Sequence, residues 1–302
     1  MTLSNHTNLD TILVMIFCFV DDFIKIALGN IYYALKRPDN NTPPLKKHNL
    51  SIAELATLAI FRFFTGHRDW KSFYCHIQTY HSKDFPRLPE YANFVIAMNA
   101  LAPFALLLLA GFMQVFRNNT QVYDLKFVDS TKLEVCKIKR EFSHKVCKGL
   151  ARKSKSTMGW FYGFKLHAIC NELMHILNIR ITTATIDDRK GLEAMWVRIF
   201  GMIIADAGYV GKNLQEKGWR LGKRLLTGVR ANMKKLITQA QHQLLKLRQC
   251  VETVFSVLKL RMGIETSLPR SPLGYFAHYI WCLVAYQFKK FFEYRAPKAL
   301  LA

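Results

Sequence analysis

Three acids stand in settings that suit metal-assisted chemistry: Asp129 in LKFVDSTKLEVC, Asp206 in MIIADAGYVG and Glu252 in RQCVETVFSVLK. Asp129 and Asp206 each follow a short apolar run that reads as a buried strand, so each acid is expected where a strand leaves the core. Both can then point into one crevice. Glu252 lies near Leu245, Val251 and Phe255 at helical spacing, and an acid beside an apolar stripe faces protein rather than water. Burying such an acid unpaired is costly, so a cation is needed. Carboxylate oxygens suit a hard divalent ion such as Mg²⁺, which keeps water ligands for a phosphate. Two such ions about 3.5–4 Å apart can clamp the attacking and leaving oxygens of an in-line phosphoryl transfer. Mg²⁺ is therefore the expected cofactor, with Mn²⁺ as its substitute. Each acid alone has a plainer reading. A strand-end Asp often caps a turn, and Glu252 can simply pair with Arg248 four residues before it. The three together, in a strongly basic segment, favour catalysis.

The basic residues suggest what is held. Residues 132–165 carry ten Lys or Arg against only Glu134 and Glu141. Lys145, Lys148, Arg152, Lys153 and Lys155 are expected to follow a phosphate backbone. For the aromatics Trp160, Phe161, Tyr162 and Phe164, packing in the core is the better expectation. A second patch holds Lys223, Arg224, Arg230, Lys234 and Lys235, between Asp206 and Glu252 in sequence and so near the same site. Arg248 and Lys259 flank Glu252. Lys259 follows it by seven residues, about two helical turns, and serves a phosphate or a surface pair equally well. Asp187 reads most plainly as a helix N-cap. Asp187, Asp188 and Arg189 can also support the pocket. His144 and His167 are read as hydrogen-bonded structural residues.

The elements that position these groups are legible in outline. The paired prolines of Asp39 to Pro44 bar a helix there. Ser51 and Glu54 form a capping box ahead of Leu55, Leu58, Ala59 and Phe63. His67 to Trp70 ends that helix and starts another, and Phe85 to Pro89 is a loop. Tyr91 to Phe116 reads as one or two buried helices. Beyond residue 120 the pattern changes. Val122 to Val128, Gly163 to Ile169, Ile176 to Thr185, Met202 to Ala205 and Arg224 to Val229 read as strands. The second and third form a hairpin about Asn171 and Glu172. Residues 239–260 read as one long helix. Strands followed by alternating strands and helices imply an α/β sheet with helices packed on it.

The chain has 302 residues, with 43 Lys or Arg against 21 Asp or Glu, a net charge of +22. That excess argues for a polyanionic partner and against an ordinary metabolic enzyme. With 51% hydrophobic residues the chain is not a disordered basic tail. Residues 1–120 hold 11 basic and 8 acidic side chains, a net of +3, and residues 121–302 hold 32 and 13, a net of +19. This split divides the chain into a helical domain, 1–120, and a sheet-bearing domain, 121–302. The seven cysteines form no C-x-x-C pair, which fits buried reduced thiols in a reducing cytosol. The apolar runs Thr11 to Val20 and Leu101 to Phe116 fall short of the roughly 20 residues a spanning helix needs. No membrane role is expected, nor is a secretory signal.

These blocks together resemble bacterial insertion-sequence transposases of the DDE type, closest to insertion sequence family 982. The resemblance runs from about Ile12 to Tyr286. It rests on HKVCKGLARKSKSTMGWFYGFKLH at 144–167, IDDRK at 186–190, IADAGY at 204–209 and RQCVETVFSVLK at 248–259. The last block fits an R-x3-E-x6-K signature with Arg248, Glu252 and Lys259. The chain departs from the family in having Ala207 where Lys is frequent, Leu245 where Tyr is frequent, and Ala184-Thr185-Ile186 where Gly-Asn-Val is frequent. The resemblance implies an all-α N-terminal domain followed by an RNase H-like catalytic domain, a mixed central sheet flanked by helices. It implies Asp129, Asp206 and Glu252 as the metal-binding catalytic triad. It also implies double-stranded DNA as partner, both as terminal inverted repeats and as target. The activity would be cleavage at those repeats and strand transfer by a homo-oligomer in the bacterial cytoplasm. A DNA-binding relic without activity, or a metal-dependent nuclease of another substrate, remain the competing expectations.

Overall fold

A computed structural model describes residues 8–35, 50–118, 125–156, 159–229, 233 and 236–299. The Asp39 to Pro44 loop, Arg230, Lys234 and Lys235 lie outside the described residues. The chain divides into two compact units, Met1–Leu109 with Leu273–Ala302, and Ala110–Pro272. The C-terminal helix Pro272–Ala299 thus belongs almost wholly with the N-terminal helices.

The first unit is helical where it is described. Helices α1 (Leu9–Leu35), α2 (Ile52–Phe64), α3 (Trp70–Tyr80) and α4 (Tyr91–Ala100) precede α5 (Ala102–Asn118), which runs on into the second unit. The Ser51–Glu54 capping box starts α2 as expected. The Glu54 N–H donates to Ser51 Oγ at 3.1 Å and the Ser51 N–H to Glu54 Oε2 at 2.6 Å. Helix α2 is apolar nearly all round and is buried nearly all round, from Ala53 to Phe63. Its one basic residue, Arg62, is 2% exposed. The guanidinium lies 4.0 Å over the Trp70 ring and meets His278 Nδ1 at 2.8 Å. Asp69 caps α3 by accepting the Ser72 N–H at 2.8 Å, which is why the chain restarts there. Helix α5 buries Ala102, Ala105, Leu108, Leu109, Phe112 and Phe116, a stripe at helical spacing, and leaves Leu106 and Leu107 half exposed. Among the described residues no single helix is long and apolar enough to cross a membrane. Helices α4 and α5 reach that length only as a pair bent by 46°.

The second unit is a mixed α/β layer built on a six-stranded sheet. Its strands are β1 (Leu125–Cys136), β2 (Arg152–Ser156), β3 (Gly159–Asn171), β4 (Ile176–Thr183), β5 (Gly201–Ala205) and β6 (Lys223–Thr227). Strand β3 lies antiparallel to β1 along nearly its whole length. On its other edge it pairs first with β2 and then with β4. Strands β1, β5 and β6 are mutually parallel, so the order across the sheet is β4–β3–β1–β5–β6, with β2 beside the start of β3. The β3–β4 hairpin turns at Asn171, whose side chain accepts the N–H groups of Leu173 and His175. Gly163 is obligatory where β3 crosses β1, since a Cβ there would stand 2.0 Å from the Leu133 carbonyl oxygen. Helices α6 (Asp188–Met195), α7 (Lys212–Arg220), α8 (Gln239–Lys246) and α9 (Gln249–Ser256) flank the sheet, with α9 against β1 and β3.

Two elements differ from expectation. Strand β1 does not end at Asp129 but continues seven residues beyond it, because β3 is long enough to pair with it throughout. The helix expected over 239–260 is broken. Around Leu247 and Arg248 the backbone bonds shift from i−4 to i−3, closing α8 and restarting as α9. A π turn then follows at Val257–Arg261.

Candidate active site

The parallel register of β1 and β5 aligns Phe127 with Ile204. Continued by two residues, it brings Asp129 level with Asp206, although one acid sits within a strand and the other just past one. Asp206 caps a 3₁₀ turn, Ala207–Tyr209, by accepting the Gly208 N–H at 2.8 Å. Its plain structural role is thus that of a turn cap. Glu252 lies in the first turn of α9, half exposed, and is tied to Asp129 through one guanidinium. Arg248 donates from Nη1 to Asp129 Oδ2 at 3.0 Å and from Nη2 to Glu252 Oε1 at 2.7 Å. The expected Arg248–Glu252 pair is present, but Asp129 shares it.

Burial pushes the Asp129 carboxyl up to about 6. The Ser130 N–H and Arg248 hold it down, while Asp206 and Asp188 push it further up. Asp188 is thus a fourth acid of the cluster. Its Oδ1 accepts from Ser130 Oγ at 2.7 Å and from Lys165 Nζ at 3.1 Å. Lys165 also donates to the Ile186 carbonyl at 3.1 Å. Asp187, by contrast, is the helix cap. It accepts the Arg189 N–H and a two-pronged bond from the Arg189 side chain, which lowers its carboxyl to about 2. His167 is fully buried, bonds Thr182 Oγ1 at 2.9 Å, and is lowered to about 4, chiefly by burial. Tyr209 is 1% exposed, and burial, then the charges of Asp129, Asp188 and Asp206, raise its hydroxyl well above the usual range, with a hydrogen bond to Ser130 opposing them.

Asp129, Asp206 and Glu252 offer only carboxylate oxygens, the donor type that suits a hard divalent cation. Among the described residues no three His, Cys, Asp or Glu side chains converge closely enough to hold one ion as they stand. Asp129 and Glu252 are instead joined through Arg248.

The basic residues fall into distinct settings. Lys145, Lys148, Arg152, Lys153 and Lys155 are exposed, the last three on β2. Lys153 pairs with Glu141 at 3.0 Å and lies 5.6 Å over the Trp160 ring. Trp160 itself is 56% exposed, whereas Phe161 and Phe164 are buried, so the core-packing expectation holds for only part of that run. Arg224 is exposed on β6 beside Trp219. Lys223 is buried, its ammonium donating to the Leu221 carbonyl at 3.3 Å. Lys259 lies in the π turn, where the α-helical count from Glu252 no longer applies, and pairs with Glu265 at 3.1 Å. A cleft of about 530 Å³ lies between α6 and the start of α7, lined by Asp187, Arg189, Lys190 and Lys212 among others and by none of the three acids.

Sequence reasoning missed Ser130, Lys165 and Tyr209. A lysine inside the otherwise apolar strand GFKLHAIC was the available signal for Lys165. Ser130 and Tyr209 had only their closeness in sequence to Asp129 and Asp206.

Comparison with known proteins adds three findings. A family model described as a transposase DDE domain matches residues 119–272, which include all three acids. No curated protein matches the chain. Among solved structures the chain is similar to a piggyBac transposase in a synaptic complex with hairpin DNA. The identity is 11% and the TM-score 0.49, over 98% of this chain and 77% of that one.

Proposed function

The chain belongs to the transposase DDE domain family, and on that premise we propose that it cuts the ends of an insertion sequence and joins them to target DNA. The reaction is metal-dependent in-line phosphoryl transfer. The observation that carries this reading is the bridging of Asp129 and Glu252 by Arg248, with Asp206 just past the parallel neighbour strand β5, all within the matched residues. The strand order β4–β3–β1–β5–β6, with its antiparallel and parallel halves, supports an RNase H-like catalytic domain. Assignment to insertion sequence family 982 rests on the four sequence blocks. Residues 1–120 are assigned to end recognition and to pairing of copies, in a bacterial cytoplasm.

Asp129, Asp206 and Glu252 are the residues that would hold divalent metal, Mg²⁺ or Mn²⁺, as one or two ions. A metal held there would supply Lewis-acid polarisation of the scissile phosphate and of the attacking hydroxyl. The remaining work falls to the chain itself. Arg248 carries two charge-assisted bonds, to Asp129 and Glu252, and its guanidinium is suited to a DNA phosphate. Lys145, Lys148, Arg152, Lys153, Lys155 and Arg224 are exposed and hold the backbone of the double helix by charge. The first nucleophile is water and the second the freed 3′-hydroxyl; alignment rather than a covalent protein intermediate drives both steps.

The test is cleavage of linear DNA carrying the gene's native flanks, with Mg²⁺ or Mn²⁺, by wild type and Asp206→Asn. Nicking at the repeat ends by wild type alone is expected, with the variant still bound to DNA. Binding without cleavage by both proteins would support a relic. Cleavage away from the repeats would support a nuclease of another substrate. Equal cleavage by both would remove Asp206 from the site.

A further inference from the structure

Strand β3 begins with an aromatic ring that the core does not take. Trp160 is 56% exposed, while the next residue, Phe161, is 2% exposed. Successive side chains of a strand point to opposite faces, so Phe161 enters the core and Trp160 faces away from it. The register of β2 and β3 sets Lys155 opposite Trp160 and Lys153 opposite Tyr162. Directly opposed residues share a face, so two lysines and the indole stand together on one side of the pair. The Lys153 ammonium lies 5.6 Å over the ring and is held by Glu141 at 3.0 Å. Strand β2 itself reads RKSKS, with three cations and no acid. Left in water, the indole adds little to the stability of the sheet. What it offers is a flat apolar face set among positive charges.

We propose that Trp160 stacks on an unpaired DNA base while Lys153 and Lys155 hold the phosphates beside it. A base inside a duplex has both faces covered by its neighbours, so only an unpaired base has a face to give to the indole. The phosphates on either side supply the charge that complements the lysines. A second copy of the chain meeting this face with its own would set the same lysines against one another, so charge favours nucleic acid over self-pairing. On β3 the residue opposite Asp129 is Ala168, eight positions after Trp160. That separation is about 26 Å at the rise of a strand. The ring therefore meets DNA beyond the cut and not the scissile phosphate. This inference takes DNA as the ligand from the reading above and does not depend on the cleavage chemistry.

The experiment compares full-length wild type, Trp160→Leu, Trp160→Phe and the double variant Lys153→Gln, Lys155→Gln. Each is titrated at one salt concentration with a single-stranded oligothymidylate and with a duplex of equal length. Melting temperature, tryptophan fluorescence and size by gel filtration are read alongside. Trp160→Leu is expected to bind the single strand about tenfold more weakly, to bind the duplex as wild type does, and to melt as wild type does. Trp160→Phe keeps a ring and should keep most of the affinity. The oligothymidylate should quench wild-type fluorescence, and the quench should shrink in Trp160→Phe. The lysine variant should weaken binding of both DNAs. Wild-type single-strand affinity in Trp160→Leu would overturn the inference. An equal loss for single strand and duplex would also overturn it, because charge or folding alone would then account for the effect. Unchanged DNA binding with a smaller assembly would assign the ring to contact between copies and overturn it as well. Absence of cleavage by wild type, with single-strand binding still dependent on Trp160, would overturn the catalytic reading and leave this inference standing.

Discussion

Asp129 is a carboxylic acid at odds with its surroundings. Its usual value is 3.8, and burial raises it to about 6. The folded chain therefore binds a proton there more tightly than the unfolded chain does. The stability so contributed is complete below about pH 4 and is lost as pH rises through about 6. Asp129→Asn removes the charge. Without divalent ions it is expected to be more stable than wild type at pH 8 by about 1–3 kcal/mol, and nearly equal at pH 4. Mg²⁺ should reverse the order at pH 8, since it stabilises only the protein that binds it. Melting curves at the two pH values, with and without Mg²⁺, check this. That Asp129 was a candidate was readable from its strand. That it is partly buried, and shares Arg248 with Glu252, depends on residues far along the chain.

Among the elements, the β3–β4 hairpin was readable because its alternation and its Asn171 turn are local signals. The extension of β1 past Asp129 was not, because it depends on the length of a partner strand. Gly163 marks where that pairing is tightest. Gly163→Ala would place a Cβ 2.0 Å from backbone, which no rotamer change can relieve. Destabilisation by at least about 1–3 kcal/mol is expected, with faster amide exchange in β1 and β3. A denaturant titration with hydrogen exchange measures both, and wild-type stability would mean that the strands can separate freely there. The broken helix at Leu247 carries no Gly or Pro, so nothing in its composition announces the change to i−3 bonding. That break sits directly before the two residues, Arg248 and Glu252, that reach across to Asp129.

At the scale of the whole molecule, the basic charge gathers in the part that also carries the three acids. Residues 121–302 carry a net +19 while residues 1–120 carry +3. Within the basic part, the exposed strand β2 presents Arg152, Lys153 and Lys155. Replacing these three by Gln is expected to weaken binding of every DNA sequence. The slope of log K against log salt should flatten by about 2–3, while the Mn²⁺ affinity of the free protein stays unchanged. Binding titrations at several salt concentrations test this, and an unchanged slope would move the phosphate track away from β2. Lys223 shows why charge in sequence is not the same as charge on a surface. It is buried, and its ammonium is already held by the Leu221 carbonyl.

The amino-acid sequence by itself determined the strongly basic charge, a predominantly helical stretch followed by strands, and three acids worth testing. Each of these follows from composition or from patterns a few residues long. Only the tertiary structure decided which acids meet and what shares their space. Ser130 reaches Asp188 across 58 positions, and Arg248 reaches Asp129 across 119. It also separated Asp187, a helix cap, from its neighbour Asp188, a member of the cluster. Adjacent residues at the start of a helix point in different directions, and only the packing of α6 against the sheet chooses which of them the site receives.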